Sequence, residues 1–179
     1  MNKDIERIFF SAEEIKHRVC ELGTQISADY KDKEPVFVGV LKGSFVFMAD
    51  LMRCIDINCL IDFMAVSSYG SGTKTTGAVS ITKDLGNDIH DRHVIIIEDI
   101  LDSGVTLSYL KKYLSVRKPA SISICTLLDK PSRRKADIKP DYTGFECPDA
   151  FIVGYGLDYA EKYRNLPYIG VLKPEIYAD

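Results

Sequence analysis

The segment that most restricts the fold is Val94–Leu107, VIIIEDILDSGVTL. Val94, Ile95, Ile96 and Ile97 are all apolar and β-branched, with no alternation, so a strand there has no face for water. Strands of that kind belong to parallel sheets covered by helices on both sides. The chain then turns polar through Glu98, Asp99, Asp102, Ser103 and Gly104, and apolar residues resume at helical spacing over Val105–Val116. A buried strand, a polar turn and a helix in direct succession is the building unit of an α/β domain. Open α/β sheets take their ligands at the carboxyl ends of the strands, where Glu98–Thr106 would stand.

The rest of the chain agrees. Ser11-Ala-Glu-Glu14 reads as a capping box, and Ile15, Val19, Leu22 and Ile26 then share one helical face. Val36–Leu41 predicts a second strand buried on both faces, and Phe45–Ile55 a helix. Cys59–Val66 predicts a strand; Ser67–Gly77 is small, polar and glycine-containing, which predicts a flexible loop. Ala78–Thr82 alternates and returns as the second arm of a long hairpin. His93–Ile97, Ser121–Leu128, Phe151–Gly154 and Ile169–Leu172 complete the predicted strands, with Glu98–Gly104 as a loop. A length of 179 residues with 46% apolar content suits one domain with its own core and no linker. The expected architecture is α/β, a mostly parallel twisted sheet flanked by helices.

A net charge of −3 argues against binding nucleic acid through a general positive field. The N-terminus has no signal-peptide pattern, and the longest apolar run is strand-sized, so a cytoplasmic protein with no membrane partner is expected. Cys20, Cys54, Cys59, Cys125 and Cys147 are odd in number and form no C-x-x-C pair, which predicts reduced, mostly buried thiols. The basic run Lys130–Lys135, KPSRRK, reads as a solvated loop.

The turn after the central strand carries the chemistry. A helix start offers unpaired N–H groups and the positive end of the helix dipole, which suit a phosphate. Gly104 permits a tight turn, and Ser103 and Thr106 add hydroxyl donors. Glu98 and Asp99 come too early to meet that phosphate; beside it they suit the hydroxyls of an attached sugar, or a Mg²⁺ ion bridging to one. The combination suggests a sugar phosphate. Neither a P-loop nor a dinucleotide fingerprint is present.

EDILDSGVT, Glu98–Thr106, resembles the PRPP (phosphoribosyl pyrophosphate) motif of the type I phosphoribosyltransferase family, and its aspartate at Asp102 is that of the hypoxanthine-guanine branch. The resemblance continues in order along nearly the whole chain. Leu41-Lys42-Gly43 is similar to the pyrophosphate loop, and Ser68-Tyr69 to the start of a mobile catalytic loop. Leu127-Leu128-Asp129-Lys130 is similar to the segment with the base-binding lysine. Phe151–Tyr159 with Arg164 is similar to a base-covering hood and its metal-binding acid.

The resemblance implies a small hood, formed by the N-terminal and C-terminal segments of a single 1–179 domain. It implies that Glu98, Asp99, Asp102, Ser103, Gly104, Val105 and Thr106 hold PRPP and its 5′-phosphate. By the same likeness Lys42, Gly43 and Arg164 hold pyrophosphate, and Glu98, Asp99 and Asp158 serve Mg²⁺. Asp102 is then the general base, at purine N7. Lys130 would donate to a 6-oxo group, Phe151 would stack on the ring, and Ile152 would offer backbone groups to the base edge. The partners implied are PRPP, a purine base and the nucleotide product, in a homodimer or homotetramer. A regulatory protein that senses PRPP or binds RNA is the competing reading, and xanthine the competing base.

Overall fold

The computed structural model describes residues 2–68 and 79–178. The chain runs β1 (Ile5–Phe10), α1 (Ala12–Asp29), β2 (Val36–Leu41), α2 (Phe45–Arg53), β3 (Leu60–Ser68), β4 (Val79–Lys83), β5 (His93–Leu101), α3 (Val105–Ser115), β6 (Ser121–Asp129), β7 (Tyr142–Glu146), β8 (Ile152–Val153), β9 (Ile169–Leu172) and α4 (Pro174–Tyr177). Six strands form one sheet in the order β4-β3-β2-β5-β6-β7, and only β4 runs antiparallel to its neighbour.

Alternation in β5 explains why the sheet needs two covers. Ile95 and Ile97 join Phe37 and Leu127 in a core with Val19 and Leu22 of α1 and Met48 and Leu51 of α2. Val94 and Ile96 join Val36, Val38 and Ile124 in a second core, against Leu107, Leu110 and Leu114 of α3. All these side chains are at most 2% exposed, so each apolar group removed would cost transfer energy and leave a cavity. The Ser11 capping box is made in full: its hydroxyl accepts from the Glu14 N–H (3.2 Å), and the Glu14 carboxylate accepts from the Ser11 N–H (2.8 Å).

A second, three-stranded antiparallel sheet has the order β1-β9-β8. It joins the start of the chain to its end and carries a small core of Val153, Tyr163, Leu166 and Leu172.

Three expectations need correction. Glu98 and Asp99 lie inside β5 rather than in a loop, because pairing with β6 continues through Glu98–Thr126, Ile100–Leu128 and Leu101–Asp129. Strands β1 and β7 were not foreseen: β1 shows no alternation, and β7 is a short edge strand of mixed residues. Cys20 and Cys54 are disulfide-bonded, with Cα atoms 5.0 Å apart, because α1 and α2 pack together; Cys59, Cys125 and Cys147 are free, the last two buried. Burial pushes the Cys147 thiol up to about 11, so it stays protonated.

No helix among the described residues is long and apolar enough to cross a membrane. Ser68 ends β3, paired with Val79 of β4. Tyr69 and most of the loop predicted over Ser67–Gly77 lie outside the described residues.

Candidate active site

The carboxyl ends of β2 and β5 open into a cleft of about 260 Å³ lined by Gly43, Glu98, Asp99, Asp102, Ser103, Gly104 and Thr106 among others. Gly104 starts α3 with a left-handed backbone, φ +78. A side chain there would be strained, and its Cβ would stand 2.6 Å from Ile138 Cγ2 and 2.9 Å from Arg134 Cδ. Glycine at 104 therefore lets the turn pack directly on Ile138 and Arg134, on its side away from the cleft. No side chain caps the helix; the Ser103 hydroxyl accepts from the Val105 N–H only at 3.4 Å. Val105 lies outside the cleft lining and is exposed.

Glu98 and Asp99 are each 9% exposed. Burial pushes both carboxyls up from their ordinary values; for Glu98 the adjacent Asp99 charge adds to the effect, and for Asp99 the hydrogen bonds from Glu98 and the Ile100 N–H (2.8 Å) hold it back. Two neighbouring acids short of positive charge, offering only oxygen, are a donor set that a hard cation such as Mg²⁺ takes. Among the described residues no three His, Cys, Asp or Glu side chains converge as a metal-binding group. Gly43 lies against this pair, since a Cβ there would overlap the Asp99 carboxylate. The Leu41–Lys42 peptide before it is cis.

A second cleft of about 380 Å³ adjoins the first and shares Ile100 and Asp102 with it. Lys130, Phe151, Ile152 and Asp158 also line it. Lys130 is 5% exposed and donates to the Ala150 carbonyl at 2.8 Å. Asp102 thus forms the wall between the clefts. Its Oδ1 is buried and accepts no hydrogen bond among the described residues; Arg133 Nε stands 3.3 Å away, near enough to pair by charge but not aligned to donate.

The cations assigned to pyrophosphate meet at one place. Arg164 pairs with Asp158 (2.8 Å) and Glu161 (3.5 Å), donates to the Gly156 carbonyl (2.8 Å), and keeps a buried Nε without a partner. Lys42 pairs with the same Glu161 carboxylate at 3.2 Å. Neither side chain lines either cleft. The Lys42 ammonium holds the Glu161 carboxyl below its ordinary value.

The sequence reading missed Glu161, and it misjudged Arg134, which is no solvated loop residue: its side chain is 15% exposed. The guanidinium donates to the carbonyls of Asp102 (3.0 Å), Ile138 (2.6 Å) and Leu101 (3.3 Å) and pairs closely with Asp129. The Lys135 and Ala136 N–H groups donate to the Ser103 carbonyl at 2.9 and 3.1 Å. The connection from β6 to β7 therefore holds the turn at the head of α3 from behind. Arg134 sits in a charged run beside a similar neighbour, and only tertiary contact separates the buried arginine from the half-exposed Arg133.

Residues 10–160 match the family model described as phosphoribosyl transferase domain. This chain belongs to that family. The phosphoribosyltransferase match extends to whole proteins: the hypoxanthine-guanine phosphoribosyltransferase of Bacillus subtilis is 59% identical over 177 residues, 99% of this chain and 98% of the relative. That of Staphylococcus aureus (strain Mu50) is 54% identical over the full length of both. A crystal structure of a hypoxanthine phosphoribosyltransferase from Staphylococcus aureus superposes with a TM-score of 0.97 at 54% identity, covering 100% of this chain and 97% of that one. The α/β fold and the enzyme class read from the sequence are those of the family.

Proposed function

We propose that this phosphoribosyltransferase joins hypoxanthine or guanine to the 5-phosphoribosyl group of PRPP, giving IMP or GMP and pyrophosphate, as a purine-salvage enzyme. The observation that carries the reading is Asp102: a buried carboxylate oxygen with no hydrogen-bond donor among the described residues, on the wall between a cleft with a helix start and a cleft with a buried lysine. A two-substrate transfer needs such a shared wall, because the bond forms where the substrates touch.

In this mechanism the N–H groups and hydroxyls of Ser103–Thr106 bind the 5′-phosphate. Glu98 and Asp99 hold the ribose hydroxyls and, with Asp158, would contribute to holding Mg²⁺, which supplies charge neutralisation to the pyrophosphate when bound. Lys42, Gly43 and Arg164 bind the leaving pyrophosphate. The C1′–oxygen bond to pyrophosphate breaks as a purine nitrogen bonds to C1′, and Asp102 accepts the proton at N7. Lys130 donates to the 6-oxo group, where adenine would present an amine that cannot accept. Phe151 stacks on the ring, Ile152 binds its edge through the main chain, and closure of a loop beginning at Ser68-Tyr69 excludes water. Assembly as a homodimer or homotetramer completes the reading; Phe45, Leu60 and Ile61 keep exposed apolar surface that contact between copies would cover.

The test is pyrophosphate release from PRPP and Mg²⁺ with hypoxanthine, guanine, xanthine and adenine offered separately. Release with hypoxanthine or guanine supports the assignment. Release with xanthine alone overturns the base. PRPP binding with no release for any base turns the protein into a sensor.

A further inference from the structure

Phe151 does not stand alone in the base cleft. Tyr177 of α4, near the far end of the chain, lies against it with ring centroids 4.3 Å apart and planes at 15°. Tyr159 meets Phe151 edge-on at 5.4 Å and 86°. Tyr177 also lines the cleft beside Lys130 and Asp102. The pairing is built into the second sheet: the Leu172 N–H at the end of β9 donates to the Phe151 carbonyl at 2.8 Å, and the Lys173 N–H donates to the Asp4 carbonyl at 2.9 Å. Ile176 and Tyr177 pack on the core of that sheet. The start of α4 is thus tied to the backbone of Phe151 and to the start of the chain.

With Tyr177 over one face, Phe151 is still 38% exposed. We infer that Tyr177 is a positioning residue for the purine: it backs one face of Phe151 so that the other is held ready for the base, a three-layer stack of tyrosine, phenylalanine and purine. The inference rests on the reading that the purine stacks on Phe151. Its physical basis is entropy and dispersion. Phe151 precedes a strand of two residues and on its own would be free to turn; a stacked neighbour fixes the ring before the base arrives, so less freedom is lost on binding. Aromatic pairs of this geometry are worth more than their buried area alone.

The experiment is steady-state kinetics with PRPP and guanine varied separately, on Tyr177→Ala, Tyr177→Leu and Tyr177→Phe, with Phe151→Ala alongside. Loss of the stack is expected to raise the guanine KM about three- to tenfold in Tyr177→Ala, with the PRPP KM within about twofold. Tyr177→Phe, which keeps the ring, restores the guanine KM; Tyr177→Leu, which keeps apolar bulk for folding, does not. The chain has no tryptophan, so Tyr177→Trp places a single indole in the stack, and its emission is expected to change on adding GMP but not pyrophosphate. A lower guanine KM in Tyr177→Ala would make Tyr177 a plug on the base face and overturn the inference. So would an unchanged guanine KM, an equal rise in both KM values, full function in Tyr177→Leu, or a silent indole. If Phe151→Ala leaves the guanine KM unchanged, the stacking reading itself fails; if it raises that KM and Tyr177→Ala does not, only the role of Tyr177 fails.

Discussion

The two clefts that meet at Asp102 are built on different plans. The first draws most of its lining from the stretch between Glu98 and Leu107, with Val40 and Leu41 of β2, Gly43 and Val66 of β3 beside it, and offers main-chain groups at the head of α3 together with short side chains. The second takes Asp102, Lys130, Phe151 and Tyr177 from four separate segments, and offers rings and a buried ammonium. On the proposed reading the first cleft takes a phosphate, which is the same on every substrate, so a cradle drawn mainly from one stretch would serve it. A base must be told from its analogues, which takes side chains aimed from several directions.

Mutation can separate the plans. The largest effect is expected at the shared wall. Asp102→Asn keeps the shape and removes the proposed proton acceptor, so kcat should fall about 10²- to 10⁴-fold with the PRPP KM within a few-fold. Steady-state rates decide it, and unchanged turnover removes the role of Asp102. Next is Arg134→Met, which leaves Asp129 without its partner and frees the turn. Folding stability should fall by about 3–5 kcal/mol and the PRPP KM should rise more than the purine KM. Denaturant unfolding and paired KM values test this; equal rises would mean that Arg134 serves both clefts alike. Lys130→Ala should lower kcat/KM for guanine about 10- to 100-fold and spare PRPP binding. A loss confined to PRPP would contradict the division between the clefts.

The smallest effect is the most specific to the first cleft. The raised carboxyl of Glu98 favours the protonated form in the folded chain. The stability it contributes is full below the ordinary glutamate value of 4.5 and declines as pH rises through the higher native value. Glu98→Gln should therefore raise the Tm at neutral pH and above, while weakening use of PRPP. Thermal melts across pH would show a wild-type decline that the variant lacks.

The contrast also explains what could be read from the sequence. Val94–Leu107 holds strand, acids, turn and helix in order, so the first cleft was legible from local pattern. The sheet's central strands were legible for the same reason: apolar runs on both faces leave them no other place. The boundary inside β5 was not, because Glu98 and Asp99 are polar and only pairing with β6 keeps them extended. The clamp by Arg134, the stack of Tyr177 on Phe151 and the Cys20–Cys54 bond join residues far apart in the chain or look like ordinary surface composition. No periodicity marks them, since what defines each is the partner that the fold delivers.

Glu161 is an anion already placed beside the two cations proposed for pyrophosphate. It pairs with Lys42 and stands near Arg164, so a pyrophosphate that took those cations, as proposed, would displace an anion. Its affinity would then be the difference between two anions, one of them tethered to the chain. As each cation was given up, the glutamate would be at hand to reclaim it, and the product would depart by exchange rather than by bare dissociation.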